Sequence, residues 1–114
     1  MATAYKILGQ VATATVGATT ESTLYTSTGV ETVVSSLVIC NQAASSATYR
    51  ISVQPSADAG SSATAKHFIV YGATVAASDT TVLTVGLTLA AGDRIRIYGS
   101  SATMSFSAYG SQIS

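Results

Sequence analysis

The chain is short of the residues from which enzymes and nucleic-acid-binding proteins usually build their sites. Its 114 residues include one His, one Cys and no Trp, and only 9% are charged. Catalysis, metal binding and phosphate recognition each require several ionisable groups at one place. The composition therefore favours a structural role. We expect no enzymatic activity, no cofactor, and no catalytic or metal-binding residues.

A charge excess of either sign is also absent. Five basic residues balance five acidic ones, so the formal net charge is zero. Such a chain has no extended field to attract nucleic acid or an anionic membrane surface. Near-zero net charge also removes the repulsion that keeps copies of a protein apart. We therefore expect protein partners, including further copies of this chain, and neither nucleic acid nor membrane.

Long apolar runs are missing as well. The opening segment 1–6 has neither the basic start nor the apolar run of a secretory signal. Every uncharged stretch is interrupted by Ser, Thr, Asn or Gly before the roughly 20 apolar residues that a spanning helix needs. We expect the chain to be cytosolic when it is made. Because Cys40 is the only cysteine, it has no intramolecular disulfide partner, and its apolar neighbours predict a buried, reduced thiol.

What the sequence does contain is strand pattern. Val, Ile, Thr and Ser are abundant, and no segment repeats apolar residues with helical spacing over more than two turns. Small polar turns separate eight or nine short strands, a pattern typical of an antiparallel β-sandwich of jelly-roll type. We predict one all-β domain over 1–114, with strands near 5–15, 22–26, 30–41, 48–54, 66–71 (extended by 73–76), 81–85, 94–98 and from 104 onward.

Alternation within these strands predicts which residues face the core. In the first strand Tyr5, Ile7, Gly9 and Val11 share a face, and Gly9 indicates a bulge or a close backbone approach. The strand at 30–41 is apolar on both faces near its end, which predicts a central position in its sheet. Its even-numbered residues, from Val30 through Thr32, Val34, Ser36 and Val38 to Cys40, are predicted to share one face.

The later segments give equally specific expectations. Small polar residues at 56–64 predict a flexible loop, and 90–93 predicts a turn. In the strand at 94–98 the two arginines are expected outside and the two isoleucines inside. The last strand is expected to turn Met104, Phe106 and Ala108 toward one face.

One residue pair has the chemical types needed for nucleophilic catalysis. A thiolate nucleophile requires an adjacent base, and Cys40 and His67 both fall on predicted strands. No orienting Asn or Asp has a recognisable context, and no strand-to-helix elbow surrounds Cys40. We therefore interpret His67 as a structural histidine with satisfied hydrogen bonds.

The remaining charged residues have ordinary structural explanations. Asp58, Asp79 and Asp93 lie in predicted loops, where a carboxylate commonly accepts backbone N–H bonds, and a calcium site would need six or more gathered oxygens. Arg94 and Arg96 share a strand face. They either form a solvated surface or pair with acidic residues across a subunit boundary.

The six tyrosines suggest a second class of function, a platform for sugar stacking. Tyr5, Tyr25, Tyr49 and Tyr71 alternate in phase with predicted core positions, where a tyrosine ring usually lies at a sheet edge with its hydroxyl bonded. Tyr98 and Tyr109 are therefore the two tyrosines expected to be available to a glycan.

One set of strand and turn segments is spread along nearly the whole chain: 5–10, 38–41, 48–51 with Val53 and Pro55, 66–67, 87–93, 104–106 and 109–111. Taken together, these segments resemble the short virion structural proteins of tailed phages that infect cyanobacteria and other marine bacteria. Each is a strand or a turn and none is a chemical signature, so the resemblance transfers no site residues.

The resemblance implies a non-enzymatic component of a virion. A neutral module with one loop and no fibrous segment favours a capsid decoration or cement protein, associated as a homotrimer or other homo-oligomer and bound to the major capsid protein. The alternative is a tail, baseplate or fibre-associated protein, with glycan or host-surface binding as an added activity.

Overall fold

The computed structural model describes residues 3–58 and 61–113. It contains a single-turn helix, α1 (Thr13–Val16), two 3₁₀ turns (Ser56–Asp58 and Ala65–His67), and eight strands. The strands are β1 (Thr3–Ala12), β2 (Ser22–Thr26), β3 (Glu31–Asn41), β4 (Ala47–Gln54), β5 (Phe68–Val75), β6 (Thr80–Leu89), β7 (Arg94–Gly99) and β8 (Met104–Ile113). Among the described residues, no helix has the length and apolar character needed to cross a bilayer.

The strands form two antiparallel four-stranded sheets. Sheet I has the order β1-β8-β3-β6 and sheet II the order β2-β7-β4-β5. The first strand therefore pairs with the eighth, the second with the seventh, the third with the sixth and the fourth with the fifth. This nested pairing is the jelly-roll arrangement. The predicted all-β sandwich is confirmed, as is the central position of β3.

The core lies between the sheets and consists mainly of aliphatic side chains. Phe106 is the largest fully buried residue, and its ring meets that of Tyr49 edge-on at 6.4 Å. Met104, Phe106 and Ala108 all point inward from β8, and Ile95 and Ile97 do so from β7, as predicted. The other core members are Leu24, Tyr25, Val34, Leu37, Ile39, Ala47, Ile51, Val75 and Leu89.

A line of bulges crosses sheet I. Because of these bulges, the residues that face the core differ from those predicted by simple alternation. The register shifts between Ile7 and Gly9 in β1, and between Val34 and Ser36 in β3. Because one extra residue moves a strand's later side chains to the other face, the simple alternation fails at these points. In β3, Thr32 and Val34 face inward, but Leu37 and Ile39 take over beyond the bulge.

Because of the same line of bulges, the residues of β1 that face the core also differ from the prediction. Tyr5 and Ile7 lie on the outer surface, whereas Val11 packs against the core. Gly9 fulfils both of its predicted roles: it follows the bulge, and a Cβ added to it would overlap the carbonyl oxygen of Leu24.

Several predicted strand ends are also corrected. β1 ends at Ala12 rather than near Thr15, because the chain turns into α1 and the Thr13 hydroxyl bonds to the backbone N–H and C=O of Met104. β5 begins at Phe68, with Lys66 and His67 in the preceding 3₁₀ turn. β6 continues through Leu87 to Leu89, beyond its predicted end at Val85.

Buried polar groups join the sheets at both ends of the sandwich. At one end Thr32 Oγ1 lies 2.8 Å from the Tyr25 hydroxyl and 2.7 Å from Ser27 Oγ, and Gln112 donates to Tyr25. At the other end Asn41 donates from Nδ2 to three carbonyl oxygens, those of Ser45, Val75 and Ala76, and accepts from Ala43 N–H. These bonds fix the loops that carry the chain between the sheets.

Candidate functional site

His67 is a structural histidine, as the sequence predicts. Its Nδ1 accepts the backbone N–H of Thr64 at 2.9 Å, so Nε2 carries the hydrogen and donates it to Asp58 Oδ2 at 2.8 Å. The side chain is buried. Both ring nitrogens hold the turns of the 56–67 loop together, which leaves neither for a nucleophile.

Cys40 lies away from this histidine, on the central strand of sheet I. Its neighbours in sequence, Ile39 and Asn41, are fully buried, so Cys40 points to the outer face, where it is half-buried rather than enclosed as predicted. The bulge in β3 is the reason, since it reverses which residues face the core. The two residues are not brought together, and they form no catalytic pair.

Two of the three loop aspartates have the predicted turn-capping role. Asp93 accepts the backbone N–H groups of Ser56 and Ala90, and Asp79 accepts that of Thr80. Asp58 differs, because it bonds His67 and lies 3.6 Å from Lys66 Nζ. The His67 hydrogen bond, followed by the charge of Lys66, lowers the pKa of Asp58 below its ordinary value. Within 3–58 and 61–113, no three His, Cys, Asp or Glu side chains are grouped to hold a metal ion.

The arginines of β7 bind within the chain instead of forming a solvated face. Arg94 donates to Gln54 Oε1 at 2.7 Å and to the carbonyl oxygen of Ser61. Arg96 Nε lies 3.2 Å from Glu21 Oε1, at ion-pair distance but off the hydrogen-bond axis. Glu21 also accepts the backbone N–H of Ala63. These contacts anchor the described parts of the 56–67 loop on sheet II, in the region where the sequence predicts a flexible loop at 56–64.

The tyrosines are distributed differently from the prediction. Tyr25 and Tyr49 are buried as expected, and burial raises the pKa of Tyr49. Tyr5 and Tyr71, predicted to face the core, are 85% and 65% exposed. Register shifts beside both residues, at Leu8 and at Gly72, turn their side chains outward. Tyr98 and Tyr109, predicted to be available, are half-buried.

Tyr98, Arg50 and Tyr71 form one cross-strand row on the outer face of sheet II, which we call the tyrosine–arginine row. Arg50 on β4 pairs in register with Tyr98 on β7 and with Tyr71 on β5. Its guanidinium carbon lies 4.2 Å from the Tyr98 ring centroid and 4.4 Å from that of Tyr71. Strands two positions apart in a sheet are separated by about 9.6 Å. The guanidinium therefore fits between the rings and stacks on both.

A cleft adjoins this row. Phe68 meets the Tyr71 ring edge-on at a centroid distance of 4.9 Å. The two aromatic side chains line an open cleft of about 490 Å³ together with Ala63, Thr64 and Ala65 of the loop. Neither Arg50 nor Phe68 was predicted from the sequence to be a site residue. The polar phase of β4 was a signal that Arg50 faces outward, but its aromatic neighbours depend on strand pairing.

The outer face of sheet I is free of charge over four successive cross-strand rows, which we call the neutral face. From β1 across β8 and β3 to β6 the rows are Tyr5–Ser111–Val33–Thr88, Ile7–Tyr109–Ser36–Thr84, Gln10–Ser107–Val38–Val82 and Ala12–Ser105–Cys40–Thr80.

Large apolar side chains stand out on the neutral face. Ile7 and Val82 are 54% and 61% exposed, in addition to Tyr5. The nearest acidic residue on β3 is Glu31, one row beyond Tyr5 and Val33. β1, at the edge of the sheet, also presents unpaired backbone groups beside Tyr5 and Ile7. An exposed patch of this kind is typical of a surface that other proteins cover.

A comparison of the chain with protein-family models, with curated proteins and with solved structures finds no match.

Proposed function

We propose that this protein is a non-enzymatic structural protein of a tailed-phage particle, a capsid decoration or cement protein that acts by burying its neutral face. The observation that carries the proposal is the absence of charge over the four rows of sheet I, together with the exposure of Tyr5, Ile7 and Val82. The resemblance of its strand and turn segments to short virion proteins directs the proposal to a phage particle.

The occupant we propose for the neutral face is a second copy of this chain. A face composed of Ser, Thr, Val and Tyr meets no like charges when it packs against a copy of itself or against a neighbouring copy in a ring. The neutral face, from Tyr5 to Ala12, is eight residues long on four strands about 4.8 Å apart and spans roughly 500 Å². The whole outer face of sheet I spans roughly 600 Å², which is at the lower end of what each partner buries in a specific interface, about 600–1,000 Å².

The assembly we expect is a trimer that docks on the shell through the major capsid protein. Repeated binding at equivalent lattice positions suits a sandwich whose loops are anchored by the polar bonds of Asn41, Thr32 and Asp93. Shell stabilisation then comes from buried surface, since each copy adds contact area that must be exposed again before the shell comes apart.

The test begins with the solution mass of the purified chain, measured by light scattering across a concentration series. We expect an oligomer, and we expect Val82→Glu, which places a charge in the neutral face, to give a monomer. Ile69→Glu is the matched control, since Ile69 is a similarly exposed aliphatic residue on an edge strand of sheet II. A wild-type monomer at every concentration, or equal effects of both variants, would refute association through this face.

Location on the particle is tested separately. The chain is mixed with purified heads and with purified tails of the phage that encodes it, and co-sedimentation is measured. Binding to heads, saturating at a number of copies proportional to the capsid lattice, supports decoration. Binding to tails alone rejects decoration in favour of the tail or baseplate alternative.

A further inference from the structure

We propose that the tyrosine–arginine row and its adjoining cleft bind an acidic saccharide, with a sugar ring in the cleft and its carboxylate on Arg50. This site lies on sheet II, on the other side of the sandwich from the neutral face, and does not depend on the proposed function. Its central observation is that Tyr71 is shared: the Arg50 guanidinium stacks on its ring, and the same side chain lines the cleft.

Arg50 is the arginine of sheet II that has hydrogen-bonding capacity to spare. Arg94 donates to Gln54 and Ser61, and Arg96 is paired with Glu21. Within 3–58 and 61–113, no hydrogen bond or ion pair engages the Arg50 guanidinium, which is held by the faces of Tyr71 and Tyr98. Stacking uses the faces of a guanidinium and leaves its in-plane N–H groups available.

The geometry selects a carboxylate as the anion. A guanidinium fixed between two rings presents its donors as a fork, which matches the two oxygens of a carboxylate. The stacked rings also reduce the conformational freedom that an exposed arginine would lose on binding. A polyphosphate or nucleic-acid chain is disfavoured, because Arg94 and Arg96 are already engaged and Glu21 lies beside them.

The cleft selects the rest of the ligand. Phe68 and Tyr71 offer aromatic surface, and Tyr71 is largely exposed. A pyranose ring has an apolar C–H face that packs on aromatic side chains, while its hydroxyl groups need polar partners. Thr64, which lines the cleft beside Ala63 and Ala65, offers its hydroxyl oxygen as an acceptor, since its backbone N–H and C=O are both bonded to His67. Uronic acids and sialic acids combine such a ring with a carboxylate.

The ligand pair that tests this inference is an oligosaccharide with and without its charge. Trisaccharides of galacturonic acid, of glucuronic acid and of sialic acid are titrated into the full-length chain, each beside its methyl ester, and backbone amide shifts are followed by NMR. We expect at least one acid to shift the amides of residues 63–65, Phe68 and Tyr71, and its ester to bind at least about tenfold more weakly.

Variants then assign the roles. Arg50→Gln should abolish the difference between acid and ester, whereas Lys6→Gln removes the same charge from sheet I and should leave it intact. Tyr71→Ala should weaken binding of both ligands, and Tyr71→Phe should restore it because the ring remains. Tyr71 is exposed, so these variants are expected to fold, which unchanged amide spectra outside the site verify.

Three results would overturn the inference. The first is the absence of binding by all three acids at millimolar concentration. The second is an Arg50→Gln variant that still distinguishes acid from ester. The third is inorganic phosphate alone shifting the same amides as strongly as the acid saccharides, since the site would then bind a simple anion and not a sugar.

Discussion

His67 donates a hydrogen bond from Nε2 to Asp58 Oδ2 at 2.8 Å, and this bond lies inside the loop that covers sheet II. The two residues belong to the consecutive 3₁₀ turns of that loop. Because Nδ1 of the same ring accepts the Thr64 N–H, the imidazole joins three points of the loop. His67, whose residue type is common in catalytic sites, therefore has a structural role in this loop.

Because of this Asp58–His67 pair, the stability of the loop is expected to fall at acidic pH. The pKa of Asp58 is lowered in the folded protein by its bond to His67 and by Lys66, so its stabilising effect is present above the unfolded value of about 3.9 and is lost as the pH falls through the folded value. We expect Asp58→Asn to lower the melting temperature at pH 7 and to have a progressively smaller effect below about pH 4.

Glu31→Gln is the control for this experiment, because Glu31 is exposed and takes part in no hydrogen bond or ion pair within the described chain. Its effect on melting temperature should be small at every pH. An Asp58→Asn deficit that persists undiminished at the lowest pH would show that the carboxylate charge is not the source of the stabilisation.

Thr32 is a second position at which a substitution should lower the stability of the fold. Its hydroxyl lies within hydrogen-bond distance of Tyr25 and Ser27, and all three side chains are buried. Thr32→Val keeps the shape but leaves these groups with fewer partners, so the free energy of unfolding should fall by about 1–3 kcal/mol. Urea denaturation checks this against Thr74→Val, an exposed threonine in β5, where a change within about 0.5 kcal/mol is expected.

A side chain at position 9, in place of Gly9, is expected to destabilise the fold for a steric reason. A Cβ at this position would overlap the carbonyl oxygen of Leu24, a backbone atom that has little freedom to move. Gly9→Ala should therefore destabilise the fold by about 1–3 kcal/mol. Gly86→Ala is the matched control in the same sheet, because a Cβ there meets open space. Similar losses from both substitutions would show that the close approach to Leu24 does not determine the cost.

The Asn41 side chain is expected to stabilise the loops to which it is bonded. Its side chain makes four hydrogen bonds, to Ser45, Val75, Ala76 and Ala43, from a fully buried position. Asn41→Ala should lower the free energy of unfolding by about 2–3 kcal/mol and speed amide hydrogen exchange at 43–46 and 76–79. Gln42→Ala, an exposed neighbour, should do neither. Equal exchange rates in both variants would argue against an anchoring role for Asn41.

The strands themselves were predictable because their signal is local. The alternation of Ile95 and Ile97 with Arg94 and Arg96, and of Met104 and Phe106 with serines, needs only the period of a strand and the burial of apolar residues. The lack of clustered ionisable residues is likewise readable from composition. The antiparallel sandwich therefore followed from the sequence, and β2 has the predicted bounds Ser22–Thr26.

The bulges limited the prediction of faces. The extra residues at Leu8 and Ser35 lie beside the same part of β8, near Tyr109 and Gly110, and a Cβ on Gly110 would overlap the carbonyl oxygen of Val33. A bulge needs two paired strands to exist, so no single-strand period reveals it. Gly9 signalled one bulge, but Ser35 gave no comparable signal.

By itself, the sequence determined the strand content, the neutral overall charge and the shortage of catalytic groups, because these depend on composition and on spacing along the chain. Only the tertiary structure decided which neutral residues share the outer face of sheet I, and that Arg50 lies between Tyr71 and Tyr98. Both depend on register between strands that are distant in sequence, which nested jelly-roll pairing fixes once the whole core has formed.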